Sequence, residues 1–557
     1  MKRFVELFDA LDTTASTNEK VEAMCRYFTD APHADAAWAL FVLTGERLRG
    51  VTSSALLREE AARATDMPAW MLEECHAAVG DWSETIALLL PTATKADAEL
   101  SLAEVMTTRV RPLATADDTT RRAILREAWS SLDERARLVY HKLIRGGLRL
   151  GVQRKLVIRA LAAASGVDES LLERRLIGGV RPDAAWFAAL IDPTLTPADH
   201  GRPAPFMLAS QLPTGAAADP GSFLGDAASW RAEWKYDGIR AQLVRSQPVS
   251  GAAPAAHLWS RGEERIDTQF PEIIALARHL PPGTILDGEV LVWRGADRPA
   301  PFSVLQTYLN RVGARGTQPG LFDADRVVFM AFDVLEHDGR DLRESTFDER
   351  RAVLESIVRS CPDDTLRLSP LVPTANWPAW IELRLGARTR GVEGLMLKHS
   401  ASPYVSGRQR IDTRDAGVGG WWKWKLDPYC VDAVLVHAQP GSGKRAGLYT
   451  DYTFALWRVN ADATRELVAF AKAYSGLEKS EIEEVDAFIR RHTLTRNGPF
   501  RTVEPLLVFE LGFEGVQEST RHKSGLAVRF PRILRWRRDK TAADADTLET
   551  LRAMLPA

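Results

Sequence analysis

Apolar positions divide the chain before anything else does. Up to about residue 190 they recur every three or four residues, as in VEAMCRYFTD, ETIALLL and RRAILREAWSSL, within stretches rich in Ala, Leu, Glu and Arg. That spacing predicts amphipathic helices. The stretch IDPTLTPADHGRPAPFMLASQLPTGAAADPGS then breaks both helix and strand periods with Pro, Gly and Ala, and reads as a linker into a new domain. Beyond it, EWKYDGIRAQLVR, TILDGEVLVW, RVVFMAFDVLE, VEGLMLK and WWKWK are short, rich in β-branched and aromatic residues and bounded by Gly, Pro or Asp. These predict strands. Helical patterns, PEIIALARHL and FDERRAVLESIVRS, alternate with them, and from about 428 onward CVDAVLVHAQ, YTFALWRV, ELVAFAKAY and PLLVFELGF predict a mostly β module. The expected fold is multidomain α/β: a helical domain over 1–195, an α/β domain over 200–427 and a small β-barrel over 428–557.

Length agrees, since 557 residues exceed one hydrophobic core and fit two to four domains. A net charge of −2 excludes a uniformly basic nucleic-acid binder, so any such contact must come from local basic faces. Four cysteines without CxxC spacing argue against a zinc site or disulfide framework and fit a reducing compartment. The N-terminal MKRFVELFDALDTT carries acidic residues and lacks the apolar core of a secretory signal. No run reaches the ~18 apolar residues of a membrane span. The expectation is a soluble, cytoplasmic protein.

Lys235-Tyr236-Asp237-Gly238 ends a strand-like segment. A lone lysine is usually a snorkelling or ion-paired surface residue. What changes the picture is the ordered set downstream: Ser260-Arg261-Gly262, Leu286-Asp287-Gly288-Glu289, Phe332-Asp333-Val334-Leu335, Val392-Glu393-Gly394-Leu395-Met396-Leu397-Lys398, Trp422-Lys423-Trp424-Lys425 and Arg529-Phe530-Pro531-Arg532…Asp539-Lys540. In this order they resemble the covalent nucleotidyltransferases (DNA ligases, RNA ligases and mRNA capping enzymes). Within that superfamily the pattern is similar to that of ATP-dependent DNA ligases. The likeness covers about residues 203–545, and more weakly the N-terminal region.

The chemistry so implied asks an amine to attack the α-phosphorus of ATP and expel pyrophosphate. An ordinary lysine, with a pKa of about 10.4, is neutral roughly once in a thousand molecules at pH 7.4, a handicap of about 4 kcal/mol. Nearby cations reduce it, and Lys398, Lys423 and Lys425 are the candidates to supply that field beside the nucleophile Lys235. Glu289 and Glu393 are candidates for holding Mg2+, a hard ion that takes oxygen ligands and keeps several waters; Asp237 and Asp333 either add to this or only shape the turn. The resemblance further implies that Glu233, or a backbone group beside it, reads the adenine and that Phe332 stacks on it, although strand aromatics are commonly core. It implies that Arg240 and Arg261 bind ribose or the phosphates of AMP and the nick. A further arginine is expected before WWKWK, from Arg408, Arg410 or Arg414, with Arg410 preferred.

Three features favour DNA over RNA or a cap. RFPRILRWRRDK holds six basic residues and one acidic in twelve, and resembles the last ligase motif, whose Arg532 and Lys540 would close over the β- and γ-phosphates. Residues 141–160 carry six Lys or Arg and no acid, with HKLIRGGLRLGV opening into a helical run. Glycines there allow close approach to a duplex, and amides at a helix start bind phosphate. This resembles the helical DNA-binding domain of archaeal and eukaryotic-type ligases, with Arg145, Gly147, Arg149 and Lys155 as the DNA contacts. The absence of a four-cysteine zinc motif favours ATP over NAD. Nicked double-stranded DNA is the expected partner of a monomer that wraps it as a clamp; the alternatives are an RNA ligase or capping-type enzyme, and a non-catalytic DNA-binding scaffold.

Overall fold

The computed structural model describes residues 1–48, 50–93, 100–194, 202–247, 253–295, 298–315, 325–373, 376–407, 420–441, 447–460, 462–474 and 476–555. Backbone proximity divides the chain into two compact units, one of Met1–Val51, Asp97–Thr115 and Leu143–Leu426, the other of Thr52–Ala96, Ala116–Lys142 and Asp427–Ala557.

In the first unit the N-terminal part is helical, as its periodicity predicts. Thr17–Asp30 starts on the Ser16 hydroxyl, which accepts the Glu19 N–H, and buries Val21, Met24, Tyr27 and Phe28. Helix α1, Arg154–Ser165, buries Val157, Ile158 and Leu161, packs on Thr17–Asp30 and ends at left-handed Gly166. Between these, Lys20 is buried and its ammonium donates to the Leu150 carbonyl at 2.5 Å, fixing the end of the glycine-rich segment that precedes α1.

Two sheets follow. One has the order Ser210–Gln211, β6 (Trp421–Lys425), β5 (Gly394–His399), β1 (Trp230–Trp234). The other runs Ala256–Ser260, β2 (Ile239–Arg245), β3 (Thr284–Arg294), β4 (Asp325–His337), Arg340–Asp341. Strand alternation sorts the residues of the first sheet. Trp230, Ala232, Leu395, Leu397, Trp422 and Trp424 fill a core on one face. The intervening positions, among them Glu233, Lys398, Trp421 and Lys423, occupy the other face, which looks onto a pocket. In the second sheet Ala241, Leu243, Leu286, Val290, Phe329 and Val334 build a separate core. Helix α2, Phe347–Ser360, is locked to it by Arg350, whose guanidinium grips Asp333 at 2.8 and 3.0 Å with both side chains fully buried.

The second unit holds helices Ser54–Thr65, Ala69–Val79, Trp82–Leu89 and Asp118–Ser131. Its β-rich part is consistent with an OB-type fold: β7 (Tyr429–Pro440) pairs with β8 (Tyr449–Val459), which pairs with β9 (Arg465–Ala473). On its other side β7 meets β10 (Val508–Phe513), which pairs with β11 (Arg532–Trp536). Helix α3, Lys479–Arg491, seats Val485 and Ile489 in the barrel core. Among the described residues no helix is long and apolar enough to cross a membrane.

Candidate active site

Lys235 sits where β1 leaves the first sheet. Its N–H donates to the Gly394 carbonyl at 2.9 Å, and its carbonyl accepts the Glu393 N–H at 2.8 Å, so the backbone beside the lysine is pinned to the turn that carries Glu393. Three residues later the chain enters the second sheet at Gly238, where a Cβ would meet the Val290 carbonyl oxygen at 2.4 Å. Only glycine fits there, and this close approach brings Glu289 beside the lysine: the Gly238 N–H donates to Glu289 Oε1 at 3.1 Å. The KYDG and LDGE motifs are thus one structural unit, joined by the pairing of Arg240 with Glu289 across β2 and β3.

A pocket of about 800 Å³ opens here, lined by Glu233, Lys235, Arg240, Arg261, Glu289, Phe332, Lys398, Trp421 and Lys423. Gln153 and, from α1, Arg154, Lys155 and Ile158 also line it. Nine of the residues singled out in the sequence, from Lys155 to Lys423, therefore share one cavity.

Their partners differ from expectation in informative ways. Lys235 Nζ lies 2.5 Å from Glu393 Oε2, and Lys425 Nζ lies 3.4 Å from the same oxygen. The nearest charge to the lysine is thus a carboxylate. Burial pushes the Glu393 carboxyl up, but the two ammoniums outweigh this and hold it below the usual range. Lys398 is engaged on the far side of the pocket floor. Its ammonium donates to Glu233 Oε2 at 3.0 Å and to the Phe332 carbonyl at 2.9 Å, and lies over the rings of Trp421 and Phe332 at 4.3 and 4.6 Å. Glu233 also accepts from Ser369 Oγ and Arg351 Nη1. Burial moves Glu233 up and Lys398 down, each shift opposed by the partner's charge. The Glu233 carboxylate is thus fully engaged, and its backbone pairs with Met396 on one side and is bridged to Leu371 on the other.

Glu289 is partly buried, and burial pushes its carboxyl up to about 7 against the pull of Lys235 and Arg240. Arg240 is a bidentate partner of Asp287 at 3.2 and 2.7 Å, donates to the Met207 carbonyl at 2.7 Å and rests over Phe206, Phe332 and Trp421. Burial disfavours its charge, yet Asp287 reverses this and raises it. Tyr404 closes the cluster by donating to Asp287 Oδ2 at 2.6 Å. Sequence reasoning missed Arg350, Arg351 and Tyr404 as supports of the site; Asp287 stood in a quoted motif, whereas SPYVSG offers no signal for Tyr404.

Other candidates lie elsewhere. Arg145, Gly147 and Arg149 are exposed, and Arg149 is left-handed with φ 52°. Arg532 belongs to the second unit, on β11, 3.3 Å from Glu514. In the same unit Lys540 and Arg537 share Asp432 Oδ2 at 2.6 and 2.7 Å. Arg408, Arg410 and Arg414 lie outside the described residues. Among the described residues no three His, Cys, Asp or Glu side chains cluster as a metal cage. The pair Glu289 and Glu393, flanking Lys235, fits an ion such as Mg2+ that needs one or two carboxylates and fills its shell with water and substrate oxygens.

Comparison with known proteins is consistent along the whole chain. Residues 210–425 match the ATP dependent DNA ligase domain, 1–162 the DNA ligase N terminus, and 445–540 the ATP dependent DNA ligase C terminal region. A probable DNA ligase of Koribacter versatilis is 30% identical over 99% of this chain and 95% of its own. One of Opitutus terrae is 34% identical over 95% of this chain, which spans 55% of that longer relative. The solved structure of Pmar-Lig_Pre shares the fold, with a TM-score of 0.61 over 96% of this chain and 99% of that one at 15% identity.

Proposed function

The chain belongs to the ATP-dependent DNA ligase family, and from that premise we propose that it seals nicks in duplex DNA through a covalent AMP on Lys235. The observation that carries this reading is the pocket itself, which Lys235 lines together with Glu289, Phe332 and Trp421 while its ammonium meets Glu393. A neutral Lys235 Nζ attacks the α-phosphorus of ATP, forming a P–N bond as the bond to pyrophosphate breaks. An oxygen of the DNA 5′-phosphate then takes the AMP, and the P–N bond breaks. Finally the 3′-hydroxyl attacks that phosphate, gives up its proton, and AMP leaves.

The residues divide the work by position. Phe332 offers a face for the adenine, and the backbone beside Glu233 reads its edge. Arg261 and Lys423 meet phosphate oxygens, while Arg240, held by Asp287, keeps the floor rigid and presents its remaining edge to the ribose or the nick phosphate. Glu289 and Glu393 would hold Mg2+, which would supply charge stabilisation on the phosphoryl oxygens. Glu393 Oε2, now 2.5 Å from Lys235 Nζ, would serve as one of the oxygens that hold the ion, and in that role would leave the Lys235 amine free for attack. Arg145, Arg149, the amide of Gly147 and Lys155 form a basic run toward DNA phosphates, and Arg532 with Lys540 serves the departing pyrophosphate. The protein acts as a cytoplasmic monomer that encircles its duplex.

Incubation with α-labelled ATP tests this. Wild type should take up covalent label and then seal a nicked DNA duplex, while Lys235→Arg should take up none, because a guanidinium stays protonated. Label on another lysine overturns the assignment; sealing of nicked RNA but not DNA transfers the protein to the RNA-joining relatives.

A further inference from the structure

Arg261 lines the pocket, is exposed and makes no ion pair among the described residues. Its backbone is well fixed: its N–H donates to the Arg240 carbonyl at 3.0 Å, and the turn closes through Ser260 N–H to Glu264 O and Glu263 N–H to Ser260 O, both at 2.9 Å. The turn requires Glu263 to adopt a left-handed conformation, φ 62°. Glutamate is an unfavourable residue for that region. It also places a carboxylate two residues from the arginine that the pocket needs charged and available.

That carboxylate is engaged elsewhere. Arg154, at the start of α1, pairs with Glu263 through Nη1 while its Nη2 donates to the Leu176 carbonyl at 2.8 Å. Arg154 has a second anion in reach, since Glu46, which accepts the Val180 N–H at 2.6 Å, feels both Arg154 and Glu263. The helical segment is held against this turn by packing as well, with Ile177 in the core beside Trp259 and left-handed Gly178 against the Trp259 ring, where a Cβ would sit at 3.2 Å. An arginine from the helical segment therefore lines the catalytic pocket while paired to the turn that carries Arg261.

We propose that Arg154 is a positioning residue that sequesters Glu263, keeping Arg261 unneutralised for the phosphates of the bound nucleotide. This rests on the reading of Lys235 and Arg261 given above. Without Arg154, the Glu263 carboxylate, two residues from Arg261 in the same turn, is released to pair with it; without Glu263 as well, that competitor is gone.

The test is a suppressor experiment on the full chain, reading the KM for ATP in self-adenylation together with the melting temperature. Arg154→Gln is expected to raise KM about tenfold, the scale of one lost charge-assisted contact. Glu263→Gln should raise it less than about twofold, and Arg154→Gln with Glu263→Gln should return to within about twofold of wild type. Arg154→Gln also gives up its donation to the Leu176 carbonyl and should lower the melting temperature further than Glu263→Gln, but the double variant should recover KM without recovering melting temperature, so stability cannot mimic the effect. Equal KM defects in the two single variants, or a double variant no better than Arg154→Gln, overturn the sequestration while leaving Lys235 adenylation intact. A wild-type chain that takes up no label overturns both readings.

Discussion

Replacing Glu289 with Gln is expected to make the unliganded protein more stable above neutral pH while removing magnesium-dependent adenylation. The carboxyl sits beside Lys235, accepts the Gly238 N–H, and is pushed from 4.5 up to about 7, chiefly by burial. Because the folded state holds this proton more tightly than the unfolded one, stability falls as pH rises between those two values. Below about pH 4.5 both states are protonated and nothing is lost; above about pH 7 the full cost is present. A shift of this size is a ceiling of ~3 kcal/mol, and the partial exposure of the side chain brings the expected figure to ~1–2 kcal/mol. Glutamine mimics the protonated acid and keeps an oxygen for the Gly238 N–H. Urea unfolding of both proteins without divalent ions, at pH 5 and pH 8, should show the variant gaining on wild type at pH 8 only. Added Mg2+ should close the gap by stabilising wild type alone. Parallel stability–pH curves for the two proteins would refute the reasoning.

Three further outcomes follow from described contacts. Arg350→Met strands the buried Asp333 carboxylate and should cost ~3–5 kcal/mol in denaturant unfolding, whereas the paired change with Asp333→Leu should recover much of it. Gly238→Ala drives a Cβ into the Val290 carbonyl, so self-adenylation should fall at least ~100-fold through displacement of Lys235, even with saturating ATP. Arg145→Ala with Arg149→Ala should weaken binding to nicked DNA and reduce the slope of log affinity against log salt by up to about two, with self-adenylation unchanged; an unaltered slope removes these residues from the interface.

The sequence was most legible where a motif packs its chemistry into a few neighbouring residues. Lys235 with Gly238, Glu289 within LDGE, and the alternation of WWKWK each carried their own geometry, because strand periodicity alone decides which side of the sheet they face. Partnerships across long separations were not legible. That Glu233 is consumed by Lys398 and Arg351, or Arg240 by Asp287 and Tyr404, depends on strands, a helix and a loop brought together from more than 40 residues apart. The periodicity predicts a helical domain ending near 195 and is silent on its packing: Ile177 lies in the core with Trp259 and α1 lines the pocket. The cause is that Ile177–Gly178–Gly179 carries no periodicity at all. A catalytic fragment starting after 195 would therefore lose one wall of its pocket and bare an indole.

The pocket also lies along a mechanical seam. Glu289 belongs to one sheet, Glu393 introduces a strand of the other, and Lys235 sits on the strap between them. A nucleotide bonded to that strap would act as a rivet between the two plates, which are also joined by the backbone after β4, where the Ser369 N–H donates to the Ala331 carbonyl and the Val372 N–H to the Ala232 carbonyl, both at 2.8 Å. Charging the protein with AMP should therefore stiffen it, and amide hydrogen exchange should slow at the Lys235 end of β1 and the Gly394 end of β5 together. The protein would then meet its DNA as a more rigid body than the one that met ATP.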